Sequence, residues 1–414
     1  MPENWIGLLG IGAILAIAWT FSTDRRHINW RLVLWGLGLQ LLLALFILKL
    51  PFGRQCFEWM GAAVTTLLDF SKQGSTFVFG DLVTKMDRFG FIFCFQVLPA
   101  IIFVGSLMGI AYHVGIMQLV VTWTARLMVR TMKTSGAESL NAVGTVFVGQ
   151  SEAPLLIKPY IQGMTRSELN TIMTSGMATI AGSVMAAYIG MLGSDWAPHL
   201  LAASIMGAPA GLVMAKMLLP ETALPETAGV VDLTIERQES SLIEAAAKGA
   251  QDGLHLALIV GAMLIAFISL LAMLNAGIGL FGASLGWGGL SLEKLLGFAF
   301  APLVFLMGVP WVDVQTVGAL LGQKIVLNEF VAYARLSEII GGKVANLSLT
   351  PMGTTIATYA LCGFANFSSI AINVGCIGGI APERRSELAQ LGLRAMFGGA
   401  LASCLTATIA GLLS

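Results

Sequence analysis

Charge is what this sequence has least of. Only 11% of its 414 residues are Asp, Glu, Lys or Arg, against about 25% in a soluble globular domain. Its 23 basic and 23 acidic residues cancel, so no polybasic arm points to nucleic acid. Cysteine is sparse. Cys56, Cys94, Cys362, Cys376 and Cys404 lie in apolar runs without metal-ligand spacing and read as buried thiols. No Walker-type phosphate loop is present, which leaves no sign of ATP drive. No Ser/His/Asp set is visible, which argues against a membrane hydrolase. The polar/apolar alternation over about ten residues that marks a membrane barrel is missing as well.

What remains is apolar. Hydrophobic residues make up 56% of the chain, and the mean hydropathy is +0.82. Several runs reach the roughly 20 residues that a bilayer core demands, so the spans are helical. Clear spans fall at about 5–21, 30–49, 90–113, 167–192, 197–219, 253–276, 350–376 and 387–412. The first run has no basic leader and no clear cleavage site, and is read as a retained span. Residues 53–80 mix Phe, Met and Leu with Glu58, Asp69 and Lys72, which predicts an amphipathic helix lying at the interface.

Two stretches are apolar but interrupted. Residues 135–163 open on a capping box, Ser135 to Glu138. They continue into Gly149-Gln150-Ser151-Glu152-Ala153-Pro154, three polar residues between two helix breakers. Residues 292–336 contain Met307-Gly308-Val309-Pro310-Trp311. Both are expected to be re-entrant hairpins, each followed by two spans. Three crossings separate them, so they enter from opposite sides. That order predicts an inverted repeat with a site where the repeats meet.

Orientation follows from Lys and Arg. With both termini outside, Arg25, Arg26, Arg31, Arg126, Arg130, Lys133, Lys158, Arg166, Arg384 and Arg385 all face the cytoplasm. The polar linker at about 220–250, with Glu221, Glu226, Asp232, Glu236, Glu239 and Glu244, falls on the same side. The expected architecture is an all-α integral membrane protein: eight transmembrane helices, two re-entrant helical hairpins in an inverted repeat, and an interfacial amphipathic helix.

Glu152 and Glu329 stand out because ionisable groups at membrane depth are costly and usually serve a site or a charge partner. The alternative is that each lies near the membrane surface. Gln150, Ser151 and Glu152 together offer amide donors, an amide acceptor, a hydroxyl and a carboxylate, a set suited to the edge of a planar polar ligand. Ser151 alternatively caps the limb that follows. Asn366 and Ser369 are three apart on one helical face. With a glutamate they can bracket sugar hydroxyls, or they serve as interhelical glue. His113 and His255 read as packed, and Arg394 as snorkelling.

The segments Phe147–Leu155, Asn328–Tyr333 and Cys362–Ile372, with Pro220-Glu221-Thr222, resemble the concentrative nucleoside transporter family in the same order along almost the whole chain. The resemblance implies cation-driven uptake of nucleosides such as uridine across the cell (inner or plasma) membrane, by a homotrimer whose transport domain moves like an elevator against a scaffold. Carried over, residues 1–130 and 253–276 are mainly scaffold. Residues 135–219 and 292–414 are the halves of the transport domain, joined through the 220–252 linker. Gln150, Ser151 and Glu152 would face the nucleobase, with Val184 beside it. Glu329, Asn366 and Ser369 would hold the ribose, and Phe364 would pack on the ligand. A sodium site would draw on Thr145, the Val148 carbonyl, Thr179 and Ile180. Sodium-coupled relatives typically carry Asn where this chain has Thr145, so a proton is the alternative coupling ion. A passive channel is the more distant alternative.

Overall fold

A backbone in lipid has no water to bond to, so it must satisfy its own polar groups, and helices do that within one segment. The computed structural model describes residues 4–90, 92–229, 240–284, 286, 287, 289–344 and 347–414. Asp232, Glu236 and Glu239 of the expected linker lie outside these. Among the described residues the chain is helical throughout, and the one extended pairing is an isolated bridge between Ser135 and Ala228.

Helices α1 (Asn4–Thr20) and α2 (Trp30–Leu48) are the first two expected spans. The amphipathic segment is α3 (Pro51–Phe79), which starts on a proline and buries Gly53, Phe57 and Gly61 at four-residue spacing. The third span is α4 (Leu98–Val114). It is followed by a helix the sequence reading did not anticipate, α5 (Ile116–Met132). Its buried face, Met117, Val121, Ala125, Met128 and Met132, has helical period. Arg126 and Arg130 lie away from that face and are helical, not loop, charges.

The first hairpin consists of α6 (Gly136–Val148), a tip, a 3-10 turn over Ala153–Ile157 and a short helix Lys158–Ile161. Its Ser135/Glu138 capping box is formed as expected. The expected span 167–192 is two half-helices, α7 (Arg166–Ala178) and α8 (Gly182–Leu192), with a break at 179–181. Helix α9 (Ala197–Leu218) follows. The sixth span is longer than expected. Helix α10 (Leu242–Ser284) has 43 residues, about 65 Å at helical rise, twice the bilayer core.

The interrupted region 292–336 resolves differently from the expectation. Gly308 and Pro310 lie in a turn between α11 (Leu292–Leu306) and α12 (Val314–Val326). The second re-entrant tip is the later break at Leu327 and Asn328, between α12 and α13 (Glu329–Ile340). The expected span 350–376 is again two half-helices, α14 (Pro351–Leu361) and α15 (Phe367–Ile380), broken at 362–366. The chain closes with α16 (Arg385–Leu413). Hairpin, broken span and unbroken span thus occur twice, the second time from residue 314.

Glycine decides how the helices pair. Any Cβ added at Gly105 or Gly109 would strike the α10 backbone at Gly249 O or Ala245 O, and one at Gly249 or Gly253 would strike α4 in return. The two helices therefore pack main chain to main chain. Helices α1 and α2 join a different group. Gly7 meets Leu412 of α16, and Gly36 meets Val213 of α9. At one end of the molecule, the Thr23 N–H donates to Leu218 O and the Arg384 guanidinium donates to the carbonyls of Gln162 and Met164. There the Lys216 ammonium lies 2.8 Å from Glu138 and 3.1 Å from Glu221. At the other end, Lys49 Nζ donates to Ser414 O. Among the described residues, six helices are long and apolar enough to cross a membrane, counting α7–α8 through its break.

Candidate functional site

The two tips and the two breaks converge, and residues that end helices build all four. Helix α6 stops at Gly149, whose φ of +90° favours glycine. A Cβ there would sit 2.8 Å from the Cβ of Ala181 in the first break. Gly363, in the second break, has φ +135°. Its Cβ would lie 2.8 Å from Met177 O and 2.9 Å from Ser403 Oγ. The second break therefore packs on the main chain at the end of α7, just before the first break.

Asparagine sets the start of both helices that enter the site. Asn328 Oδ1 accepts from the Val331 N–H at 3.0 Å and so caps α13, which places Glu329 in its first turn. The dipole at that N-terminus favours a carboxylate. Asn366 Oδ1 accepts from the Ser369 N–H at 2.9 Å and caps α15. Its free amide, Nδ2, donates to Glu329 Oε2 at 2.6 Å. The other carboxylate oxygen accepts from the Tyr188 hydroxyl at 3.2 Å. On the first-hairpin side, Gln150 Nε2 donates to Ser369 Oγ at 2.9 Å, and Gln150 Oε1 accepts from Asn373 Nδ2 at 2.8 Å. One helix N-terminus, that of α15, thus carries polar groups from both tips.

Gln150, Val184, Glu329, Phe364, Asn366 and Ser369 are all buried. Ser151 and Glu152 are exposed, and among the described residues neither side chain makes a hydrogen bond or ion pair. Glu152 lies within electrostatic reach of Tyr112 on α4, Asp252 on α10 and Cys376 on α15. Ser151 does not cap the second limb. The N-cap position is Glu152, and no side chain supplies a cap bond there.

Three residues were missed. Asn373 extends the Asn366/Ser369 face by one more turn, so a polar stripe at i, i+3 and i+7 in an apolar helix was the available signal. Tyr188 lies one turn beyond Val184. Lys324 is a lysine inside an apolar helix shortly before Glu329, and it is fully buried.

Thr145, Thr179 and Ile180 are fully buried too. Thr145 Oγ1 donates to Ala142 O at 2.8 Å, and Thr179 Oγ1 to Ser175 O at 3.0 Å. Each hydroxyl spends its proton on a helix carbonyl and keeps its lone pairs. Val148 is the last residue of α6, where carbonyls lack intrahelical partners. Ile180 O accepts from Ser204 Oγ at 3.0 Å. These are neutral oxygens at the negative ends of α6 and α7, a set that suits a hard monovalent cation.

Comparison with known proteins agrees in order and extent. Family profiles described as Na+ dependent nucleoside transporter, N-terminus and C-terminus, match residues 9–82 and 199–411, and one described as nucleoside recognition gate matches 94–195. YutK, an uncharacterized transporter of Bacillus subtilis, is 46% identical over 408 residues, 98% of each chain. Human sodium/nucleoside cotransporter 1 is 40% identical over 430 residues, all of this chain and 64% of that one. CNTnw, solved in an inward-facing substrate-bound state, superposes with a TM-score of 0.93 at 40% identity, over 99% of this chain and 98% of that one. A CNTnw variant in an outward-facing state gives 0.94, at 40% identity and the same coverage. The chain belongs to the concentrative, Na+-dependent nucleoside transporter family, whose members are multi-pass membrane transporters and not enzymes.

Proposed function

We propose that this chain imports nucleosides such as uridine by sodium-coupled symport. The observation that carries the reading is the meeting of Gln150 and Glu329, one from each tip, on the N-terminus of α15. An amide at one end and a carboxylate at the other match a ligand with a base at one end and hydroxyls at the other. Gln150, Ser151 and Glu152 face the base, with Val184 beside it. Glu329, Asn366 and Ser369 hold the ribose, and Phe364 packs on the ligand. Asn373 and Tyr188 hold Gln150 and Glu329 in place. Sodium binds at Thr145, Val148, Thr179 and Ile180, where it clamps the tip that carries Gln150, and such coupling is reciprocal.

The inward- and outward-facing forms of CNTnw support alternating access. In our reading α4 and α10, with α3, form the scaffold of a homotrimer. The hairpins, both broken spans, α9 and α16 move as an elevator and, on the packing of Gly7 and Gly36, take α1 and α2 with them. The end bearing Arg384 and Lys216 faces the cytoplasm, and both termini lie outside the inner or plasma membrane.

Glu329, a buried carboxylate whose hydrogen-bond partners are neutral, favours one second reading, proton coupling through the same site. Tritiated uridine uptake into proteoliposomes separates the two. Uptake is expected to follow an imposed sodium gradient at constant pH. Uptake that follows only a pH gradient would transfer the role to protons, and the absence of saturable counterflow would replace the transporter with a pore.

A further inference from the structure

Lys324 lies in the last turn of α12 and is fully buried. Its ammonium donates to Ala360 O at 2.9 Å and to Ser403 Oγ at 2.9 Å. Ala360 lies in the last turn of α14, so two helix C-termini, those of α12 and α14, present their negative ends to one charge. Among the described residues no carboxylate is in ion-pair contact with it, and Glu329 acts on it only from farther off. Lys216, equally deep, is held between Glu138 and Glu221. A buried ammonium with no carboxylate in contact is costly, and it persists only where the surroundings replace water well.

Those surroundings repeat the ion position of the first half. There, the end of a hairpin limb (α6) meets the end of a half-helix (α7), and Ser204 from the unbroken span donates to Ile180 O at 3.0 Å. Here, the end of a hairpin limb (α12) meets the end of a half-helix (α14), and Ser403 from the unbroken span donates to Cys362 O at 3.0 Å. Both ligand sets are carbonyls and hydroxyls, the chemistry of an alkali-cation site. The first half offers Thr145 in the last turn of its limb; the second offers Lys324.

We propose that Lys324 is the second half's own cation. Its ammonium fills, on a tether, the place that the coupling ion takes in the first half. It holds the Leu327–Asn328 tip against α14 and α16 so that Glu329 meets Asn366. Lys324 is thus a positioning residue, and the second half needs no ion from solution. The comparison rests on the sodium reading of the first half, whereas the contacts of Lys324 stand without it.

The test uses the full chain in lipid nanodiscs, with uridine affinity and melting temperature followed as sodium replaces choline. Lys324→Met removes the charge and keeps most of the volume. It should weaken uridine binding by about tenfold or more in both salts, since a tip positioned by charged hydrogen bonds is released. Lys324→Ser leaves room and a hydroxyl for a free cation. In choline it should match Lys324→Met. In sodium it should recover to within about threefold of the parent, with a steeper sodium dependence, because a second ion now binds in linkage with uridine. If the variants bind uridine too weakly to measure, the same contrast is read in the melting temperature, which sodium should raise for Lys324→Ser beyond its effect on Lys324→Met. Identical sodium responses of the two variants would overturn the proposal, as would parent-like uridine affinity in Lys324→Met. A parent indifferent to sodium would instead remove the ion reading of the first half and leave the contrast between the two variants to decide on Lys324.

Discussion

Replacing Glu329 with Gln keeps the side chain's shape and removes its charge, which isolates what the carboxylate contributes to the sugar end of the site. Glu329 is buried, and its two oxygens accept from Asn366 Nδ2 at 2.6 Å and Tyr188 OH at 3.2 Å. The amide can keep both contacts, since the Tyr188 hydroxyl is able to accept as well as donate. Folding should therefore survive. The loss falls on the ligand. A hydrogen bond to a charged group is worth about 1 kcal/mol more than a neutral one, so two ribose hydroxyls lose about 2 kcal/mol. That corresponds to about thirtyfold in uridine Kd. Calorimetry with uridine and 2′,3′-dideoxyuridine, on parent and Glu329→Gln, closes a double-mutant cycle. The parent should bind the dideoxy compound far more weakly than uridine, and the variant should show a clearly smaller difference between them. Equal binding of both ligands by the parent would refute the ribose assignment.

Thr145→Asn, which adds an amide oxygen to the ion position, should strengthen the sodium dependence of uridine affinity, and Thr179→Val should abolish it; no change in either titration would move the ion elsewhere. Asn373→Ala leaves Gln150 Oε1 buried and unpaired, at about 1–3 kcal/mol, so uridine binding should weaken about tenfold, and an unchanged calorimetric affinity would deny Asn373 its positioning role. Gly363→Ala should lower the melting temperature and abolish uptake, because its Cβ would strike Met177 O and Ser403 Oγ at φ +135°. Gly375→Ala, with nothing near its Cβ, is the control and should melt like the parent.

The first tip was legible because its signals are local: a capping box, then Gly149 and Pro154 around three polar residues. The half-helix breaks were not. Residues 179–181 contain neither glycine nor proline, and the break is held from outside by Ser204 on α9. No window of sequence shows a partner two dozen residues away. The second tip was misplaced for the opposite reason. Gly308 and Pro310 are loud turn residues, but they serve an ordinary turn, while the tip beside Glu329 is marked only by the cap of Asn328. Gln150, Glu329, Asn366 and Ser369 stand out in the sequence as polar residues in apolar stretches, and the motif resemblance supplied their proposed roles. Asn373 was readable as one more turn of the Asn366/Ser369 face, whereas Tyr188 needed the third dimension, since it bonds across more than a hundred residues of chain.

The contact at Gly363 has a mechanical meaning. Because the second break abuts the main chain at the end of α7, with no side chain between them to yield, the two cannot slide apart independently. Gln150 and Glu329, on the two tips, are tied by hydrogen bonds to α15 just after the second break, so in the proposed binding mode the gap between them behaves like a caliper locked at one setting. A molecule too short to reach both jaws gains nothing from closure, and one too long is not met by widening. Selection by length then comes from the frame, before any single hydrogen bond is formed.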